Sequence, residues 1–156
     1  MTVTLSELIQ QDRFATPSQE ALLNVMATAS WVATEMASAL APHGVTQAQY
    51  NVLRILRGCH PEHYTCTEVG VRLLDRTPDV TRLLIRLESR GLVRRERAAH
   101  DRRVVQVSIT EAGLDVLSRL DEPVENTIAR LGSHLSEAEL TQLSALLEKV
   151  RTDQTD

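Results

Sequence analysis

The sequence is poor in cysteine, aromatic residues, glycine and proline, and each shortage excludes a class of protein. Its 156 residues include two cysteines, which can form one bridge at most, so the chain is not a disulfide-stabilised scaffold. Four aromatic residues are too few for the base-stacking platforms of single-strand-binding domains. Six glycines and five prolines exclude collagen-like and linker-like chains.

The sequence also lacks targeting and catalytic signatures. No basic start with an apolar core marks a secretory signal, and the longest apolar uncharged stretch, residues 21–34, is too short and too polar to span a bilayer. We therefore expect a cytoplasmic protein with reduced thiols and no membrane partner. The sequence shows no Ser-His-Asp motif, no glycine-rich phosphate loop and no HExxH zinc motif, so we expect neither an enzyme nor a cofactor.

Charge is distributed unevenly along the chain. The net charge of −4 argues against a uniformly basic nucleic-acid binder. Residues 72–103, however, hold ten arginines, no lysine and five acidic residues, which give this segment a net charge of +5 while the remainder carries −9. Arginine suits bidentate contacts with phosphates and guanine edges. A solvated, salt-bridged helix face has the same composition, so the order of structural elements must decide between the two interpretations.

Helix-start signals recur along the chain. A serine or threonine followed three residues later by Glu or Gln is typical of a capping box, and four such signals begin at Thr16, Thr46, Thr65 and Ser136. The first predicts a long helix over residues 17–40 with one apolar stripe, which Pro42 and Gly44 end. The others predict a helix stopped by Gly58, a short helix after Thr65, and a last helix with a leucine stripe. Both ends of the chain look disordered.

The basic segment predicts two helices around a tight turn. Thr77 as N-cap, Pro78 at the first helical position and Asp79 in the first turn predict a helix that runs to about Arg90. One face is apolar, and arginines recur every four residues on another. The preceding helix is separated from it by only about three residues. This arrangement is typical of a helix-turn-helix motif.

Hydrophobic periodicity then changes from 3.6 to 2. Residues 92–97 and 104–109 predict two strands joined by a polar tip over residues 98–103, which makes a basic β-hairpin. A hairpin directly after a helix-turn-helix is a winged helix. Thr110 caps a further helix, in which Pro123 predicts a kink or a restart capped by Asp121. The expected fold is mainly α with a small β-hairpin wing.

Four runs carry a family resemblance: VTQAQYNVLRIL, VTRLLIRLESRGLV, the DRR of the wing tip and SITEAG. In this order, over roughly residues 17–150, they resemble the MarR family of bacterial transcription regulators. The resemblance implies one domain over residues 1–156, with dimerisation helices at 17–41 and 111–151 and a DNA-binding lobe at 46–110. It also implies a homodimer on a palindromic double-stranded operator, and we expect a repressor that a ligand releases.

The resemblance places DNA contacts at two positions. The start of the second helix of the motif would touch bases and phosphates in the major groove, and an Asp-x-Arg motif in the wing would direct an arginine into the minor groove. Asp79 departs from this pattern: it could cap its helix, which we favour, accept from cytosine N4 or orient Arg82. Arg86 suits either a phosphate contact or bracing of the helix. The residues concerned are Thr77, Pro78, Asp79, Thr81, Arg82, Arg86, Asp101, Arg102 and Arg103.

The resemblance also implies an effector cleft that takes small aromatic acids and phenols. Trp31 lies near this cleft on the first long helix, and His43, Tyr50 and Arg54 could line it. An ordinary interface tryptophan is the competing interpretation of Trp31.

A metal- or thiol-responsive sensor is the alternative function. Cys59, His60, His63 and Cys66 offer four soft or borderline ligands within eight residues, which zinc accepts. The spacing fits no standard zinc motif, however, and Cys66 lies on a face predicted to be buried. A surface histidine pair and a core cysteine are the competing interpretation.

Overall fold

The computed structural model describes residues 3–75, 79–99 and 101–152, and it is built from helices and one small sheet. None of the helices in these ranges is long and apolar enough to cross a membrane. The helices are α1 (Leu5–Ile9), α2 (Pro17–Leu40), α3 (Gln47–Cys59), α4 (Cys66–Arg72), α5 (Val80–Ser89), α6 (Glu111–Gly132) and α7 (Glu137–Val150); the strands are β1 (Tyr64–Thr65), β2 (Val93–Arg97) and β3 (Val105–Ile109).

The predicted caps define most helix starts. Reciprocal capping boxes begin α3 at Thr46, α4 at Thr65 and α7 at Ser136. At α2 the Thr16 hydroxyl accepts from the N–H of Gln19, but the Gln19 side chain accepts from the N–H of Ala15, so the second half of the predicted box is wrong. Five of the seven helices, including α6 behind Thr110, still begin within a residue of the signal that predicted them.

Three short elements were not predicted, and one of them is a 3₁₀ turn over Ala41–His43 that directly follows α2. Residues 5–9 form α1 behind a complete capping box of Thr4 and Glu7, so the expectation of a disordered N-terminus is wrong there. The two-residue strand β1 adds to the predicted hairpin and makes a three-stranded antiparallel sheet in the order β1-β3-β2. A strand of two residues is too short to show a period of 2 in sequence.

Helix α6 runs through Pro123 as one helix. The alternative of a restart at Asp121 is therefore wrong. The Asp121 carboxylate instead accepts two hydrogen bonds from Arg57 Nη1, both at 2.9 Å, and joins α6 to α3. A cap would need this side chain to turn back on its own helix, whereas the structure uses it for a contact 64 residues away.

The core lies between α3, α4, α5, the sheet and the first half of α6. Leu53, Leu56, Leu84, Leu87 and Leu117 are fully buried there. The outer half of α2 and all of α7 differ sharply, since most of their large apolar residues are exposed and no residue of Glu137–Val150 is buried. Burial within one chain therefore accounts for the central lobe and leaves these two helices with unpaired apolar faces.

Candidate nucleic-acid interface

Helix α5 presents two chemically distinct faces. Leu83, Leu84 and Leu87 are buried against the core. The side chains on its opposite, outward face are exposed and mostly polar or basic: Thr81, Arg82, Ile85, Arg86 and Ser89. The buried leucines fix the rotation of the helix, and this rotation turns the predicted DNA-contact residues Thr81, Arg82 and Arg86 towards solvent.

Asp79 begins α5. Its carboxylate accepts from the backbone N–H of Arg82 at 3.1 Å, which confirms the capping role. The same carboxylate lies 4.0 Å from Nε of Arg82, whose side chain is 73% exposed. As described, α5 starts at Val80; the predicted cap Thr77 and the predicted first helical residue Pro78 lie outside the described residues.

The wing tip is organised by the Asp101 side chain. Its Oδ1 accepts from the backbone N–H of Arg103 at 2.9 Å, and its carbonyl accepts from the N–H of Val104 at 3.0 Å. Asp101 therefore shapes the turn through the backbone of Arg103, and no ion pair joins the two side chains in this described part of the tip. Arg102 and Arg103 are both exposed.

Two arginines of the basic segment hold the lobe together. The Glu88 carboxylate of α5 accepts from the N–H of Arg95 on β2 at 3.2 Å and from its Nη1 at 3.3 Å, while Arg95 Nε is buried without a partner. Arg90, at the end of α5, donates from Nη1 to the carbonyl of Gly44 at 2.7 Å. The sequence did carry one signal for this role, since Arg95 alternates in β2 with exposed Arg94 and shares the inward side with Val93.

Two further arginines make local contacts. Arg72 donates to the carbonyl of Glu68 at 2.8 Å and lies 4.2 Å from the ring centroid of Tyr64. Arg94 Nη2 lies 2.5 Å from Glu96. Four exposed arginines in the described part of the segment have no ion pair: Arg86, Arg97, Arg102 and Arg103. The exposed Arg82 has only its 4.0 Å contact with Asp79.

The predicted effector residues are only partly brought together. The Arg54 guanidinium lies 5.8 Å from the ring centroid of Tyr50. Burial raises the pKa of the Tyr50 hydroxyl, an effect that Arg54 opposes. Arg54 also lines a cavity of about 220 Å³, together with Asn51, Ile55, Arg72 and Leu74. Neither Trp31, which is 48% exposed on α2, nor His43 lines it.

The cysteines and histidines do not form a metal site. In the described ranges no three His, Cys, Asp or Glu side chains converge as ligands. The Cys59 thiol donates to the carbonyl of Leu56 at 3.3 Å, and burial raises its pKa, which disfavours the thiolate that would bind a metal. Cys66 is half-buried, and His60 and His63 are exposed. The metal-sensor alternative is therefore not supported.

Known proteins are similar to this chain in sequence and in architecture. A model described as the MarR family matches residues 43–104. A MarR transcription factor from Planctomyces limnophilus is 39% identical, with 87% of this chain and 98% of that chain covered and a TM-score of 0.69. A mutant MarR from E. coli complexed with operator DNA is 28% identical, with 81% and 89% covered and a TM-score of 0.72.

A curated relative is the HTH-type transcriptional repressor IacR of Pseudomonas putida, which is 31% identical over 84 residues. That match covers 54% of this chain and spans half the length of IacR. Because almost the whole Planctomyces limnophilus protein is covered at 39% identity, and the MarR family model matches the helix-turn-helix and most of the wing, this chain belongs to the MarR family of transcription regulators.

Proposed function

We propose that this protein is a sequence-specific, double-stranded DNA-binding repressor that acts as a homodimer on palindromic promoter sites. One observation carries the proposal: α5 turns Thr81, Arg82 and Arg86 to solvent on the same lobe as a wing tip that ends in two exposed arginines. Bound at a promoter, such a dimer excludes polymerase by occupancy. Relatives named as repressors and as operator complexes support this direction.

Each lobe would use two grooves of the duplex. Helix α5 enters the major groove, where Arg82 reaches base edges and Arg86 holds a phosphate; the described structure offers Arg86 no carboxylate partner that would favour bracing. Arg103 enters the adjacent minor groove, with Arg102 on a neighbouring phosphate. Narrow A·T-rich minor grooves attract arginine electrostatically. Thr77 and Pro78 precede Asp79 at the start of the helix and remain proposed contacts.

The proposed dimer explains the exposed apolar faces. On α2, Leu22 and Met26 are 49% and 67% exposed, and on α7 Leu143 and Leu146 are 44% and 52% exposed. A 14-residue helix with no buried residue is marginal in water by itself. A second copy of the chain covers both faces if α2 and α6–α7 of two subunits interleave. Residues 17–41 and 111–151 therefore serve as dimerisation helices of the single domain.

We assign a small anionic effector to the cavity beside α3. The guanidinium groups of Arg54 and Arg72 supply positive charge, and Ile55 and Leu74 supply apolar surface. This combination suits a small aromatic acid or phenolate. The effector releases DNA only if it binds the free conformation better than the bound one. Benzoate titrated into the protein–operator complex should raise the operator Kd, and an Arg54→Ala variant should lose that response.

Selection of bound duplexes from a random pool tests the function. The proposal expects one palindromic motif whose half-sites are about 10 bp apart or a multiple of it. Arg82→Ala should then weaken binding to that motif by about 1–3 kcal/mol and relax its sequence preference. Arg13→Ala removes the same charge from an exposed site outside the lobe and outside the proposed dimerisation helices, and serves as the matched control. Binding to all duplexes with equal affinity at physiological salt would overturn the proposal.

The oligomeric state tests the dimer. Deletion from Ser136 onward removes α7 and should give a monomer that binds the palindrome far more weakly, because tethering of the second lobe supplies the avidity. Leu143→Glu places a charge in the proposed interface and should act in the same direction, whereas Gln142→Glu on the same helix should not. A truncated monomer that still binds the palindrome tightly would contradict the dimer.

A further inference from the structure

We propose that Ile85 reads the 5-methyl group of a thymine in each half-site, an inference that rests on the proposed DNA-binding function. Ile85 is an aliphatic side chain on the outward face of α5 and is 48% exposed. It does not belong to the core, whose members from this helix are Leu83, Leu84 and Leu87. Nothing within the described part of the chain therefore accounts for its apolar character.

The position of Ile85 on the helix places it among the polar groups. At 100° per residue, Ile85 lies near the centre of the side opposite the buried leucines, close to Arg82 and Ser89, which are three residues before it and four after it. Arg86 borders the same side. Whatever Arg82 approaches in a groove, Ile85 approaches with it, one turn further along the helix.

The major groove offers one apolar partner for such a side chain. Each base pair presents hydrogen-bond donors and acceptors there, and the thymine 5-methyl group is the exception. Ile85 has no donor or acceptor and so cannot replace the water that a polar base edge loses. Helix stability does not explain the residue either, because a β-branched side chain is less favourable than alanine in an exposed helix position. Contact with a thymine methyl group accounts both for the apolar character of Ile85 and for its exposure on the helix.

The charge around Ile85 argues for DNA rather than a protein surface as its partner. The outward face carries Arg82 and Arg86, and its acidic group nearest the start, Asp79, is already engaged with the N–H and side chain of Arg82. A second copy of this chain would bring a like basic face against it. A duplex supplies phosphates for the arginines on both sides of a methyl-bearing base edge.

Replacement of thymine by deoxyuridine tests the inference because it removes only the methyl group. The selected operator is prepared with each thymine replaced singly, and the Kd of each duplex is measured by fluorescence anisotropy. For the unmodified protein, one thymine per half-site should show a loss of about fourfold, the value of one buried methyl. Ile85→Ala should bind the thymine operator more weakly and show no further loss with deoxyuridine there.

Matched variants distinguish a contact with the thymine methyl group from a general loss of folding or of DNA affinity. Val71→Ala removes a similarly exposed aliphatic side chain, 62% exposed on α4, and should keep the full deoxyuridine effect. Ile85→Val should retain part of it. A flat deoxyuridine scan, an Ile85→Ala variant that remains equally sensitive, or an Ile85→Ala variant with a changed oligomeric state would overturn the inference. Failure to select any operator would instead overturn the proposed function.

Discussion

Replacement of Asp101 by alanine should weaken DNA binding even though it removes a negative charge from the wing tip. The Asp101 carboxylate accepts from the backbone N–H of Arg103 at 2.9 Å and so fixes the turn that presents that arginine. Without this hydrogen bond the tip samples more conformations, and their restriction upon binding costs free energy. Electrostatics alone predicts the opposite sign, a gain in affinity, because a carboxylate repels phosphates.

The size of the effect follows from the one hydrogen bond that is lost. An exposed hydrogen bond of this kind contributes about 1 kcal/mol, which corresponds to about a fivefold change in Kd for each wing. Two wings per dimer give about 25-fold if they act independently. Asp101→Asn separates charge from structure, because the amide oxygen of asparagine accepts the same N–H without the negative charge.

Affinity is measured for the unmodified protein and for the Asp101→Ala, Asp101→Asn and Arg103→Ala variants on operators that differ only in the bases flanking the half-sites. We expect Asp101→Asn to bind at least as tightly as the unmodified protein, and Asp101→Ala to bind more weakly than both. Arg103→Ala should lose most on A·T-rich flanks, where the minor groove is narrow. Tighter binding by Asp101→Ala, or equal losses for Arg103→Ala on A·T-rich and G·C-rich flanks, would refute the reasoning.

Three further outcomes are expected. Gly113→Ala places a Cβ 2.3 Å from the carbonyl oxygen of Leu92 and should destabilise the fold by about 1–3 kcal/mol in urea titrations, whereas Gly58→Ala, with open space around it, should not. Hydrogen bonds from Thr65, the cap residue of α4, hold the pKa of Glu68 below its ordinary value of 4.5. The stability that these bonds contribute is therefore complete above pH 4.5 and is lost as the pH falls through the lowered pKa. Glu68→Gln should remove this part of the pH dependence when the thermal unfolding midpoint is measured against pH. Arg86→Ala should weaken all duplexes alike and lower the slope of log K against log salt by about one per subunit, and an unchanged slope would indicate a bracing role.

Local signals predicted the helical framework because they depend on neighbouring residues alone. Thr46 and Ser136 form the capping boxes that their sequences predict. The same signature at Thr4 and Glu7 marks α1, which is so short that it has no hydrophobic period to support it. The start of α5 was ambiguous because Thr77 and Asp79 are both competent caps, and the sequence does not say which one the chain uses.

Long-range contacts were beyond sequence reasoning for a different reason. Composition counts every arginine of the basic segment alike, yet Arg95 is committed to Glu88, and Arg90 to a backbone carbonyl 46 residues away. Likewise Asp121 looked like a helix cap and turned out to be the partner of Arg57. Such pairings depend on the packing of whole elements, which one-dimensional patterns do not contain.

The hydrogen bond from Arg90 to the Gly44 carbonyl makes α5 a lever. It ties the C-terminal end of the helix to the turn that follows α2. A ten-residue helix is about 15 Å long. A rotation of the whole lobe by about 10° about the tied end displaces the far end of this helix by about 2.6 Å, nearly the length of a hydrogen bond. In the proposed dimer, a modest change in the angle at which the two α2 helices cross would therefore be enough to lift Arg82 out of register with a base, with no unfolding and no rearrangement inside the lobe.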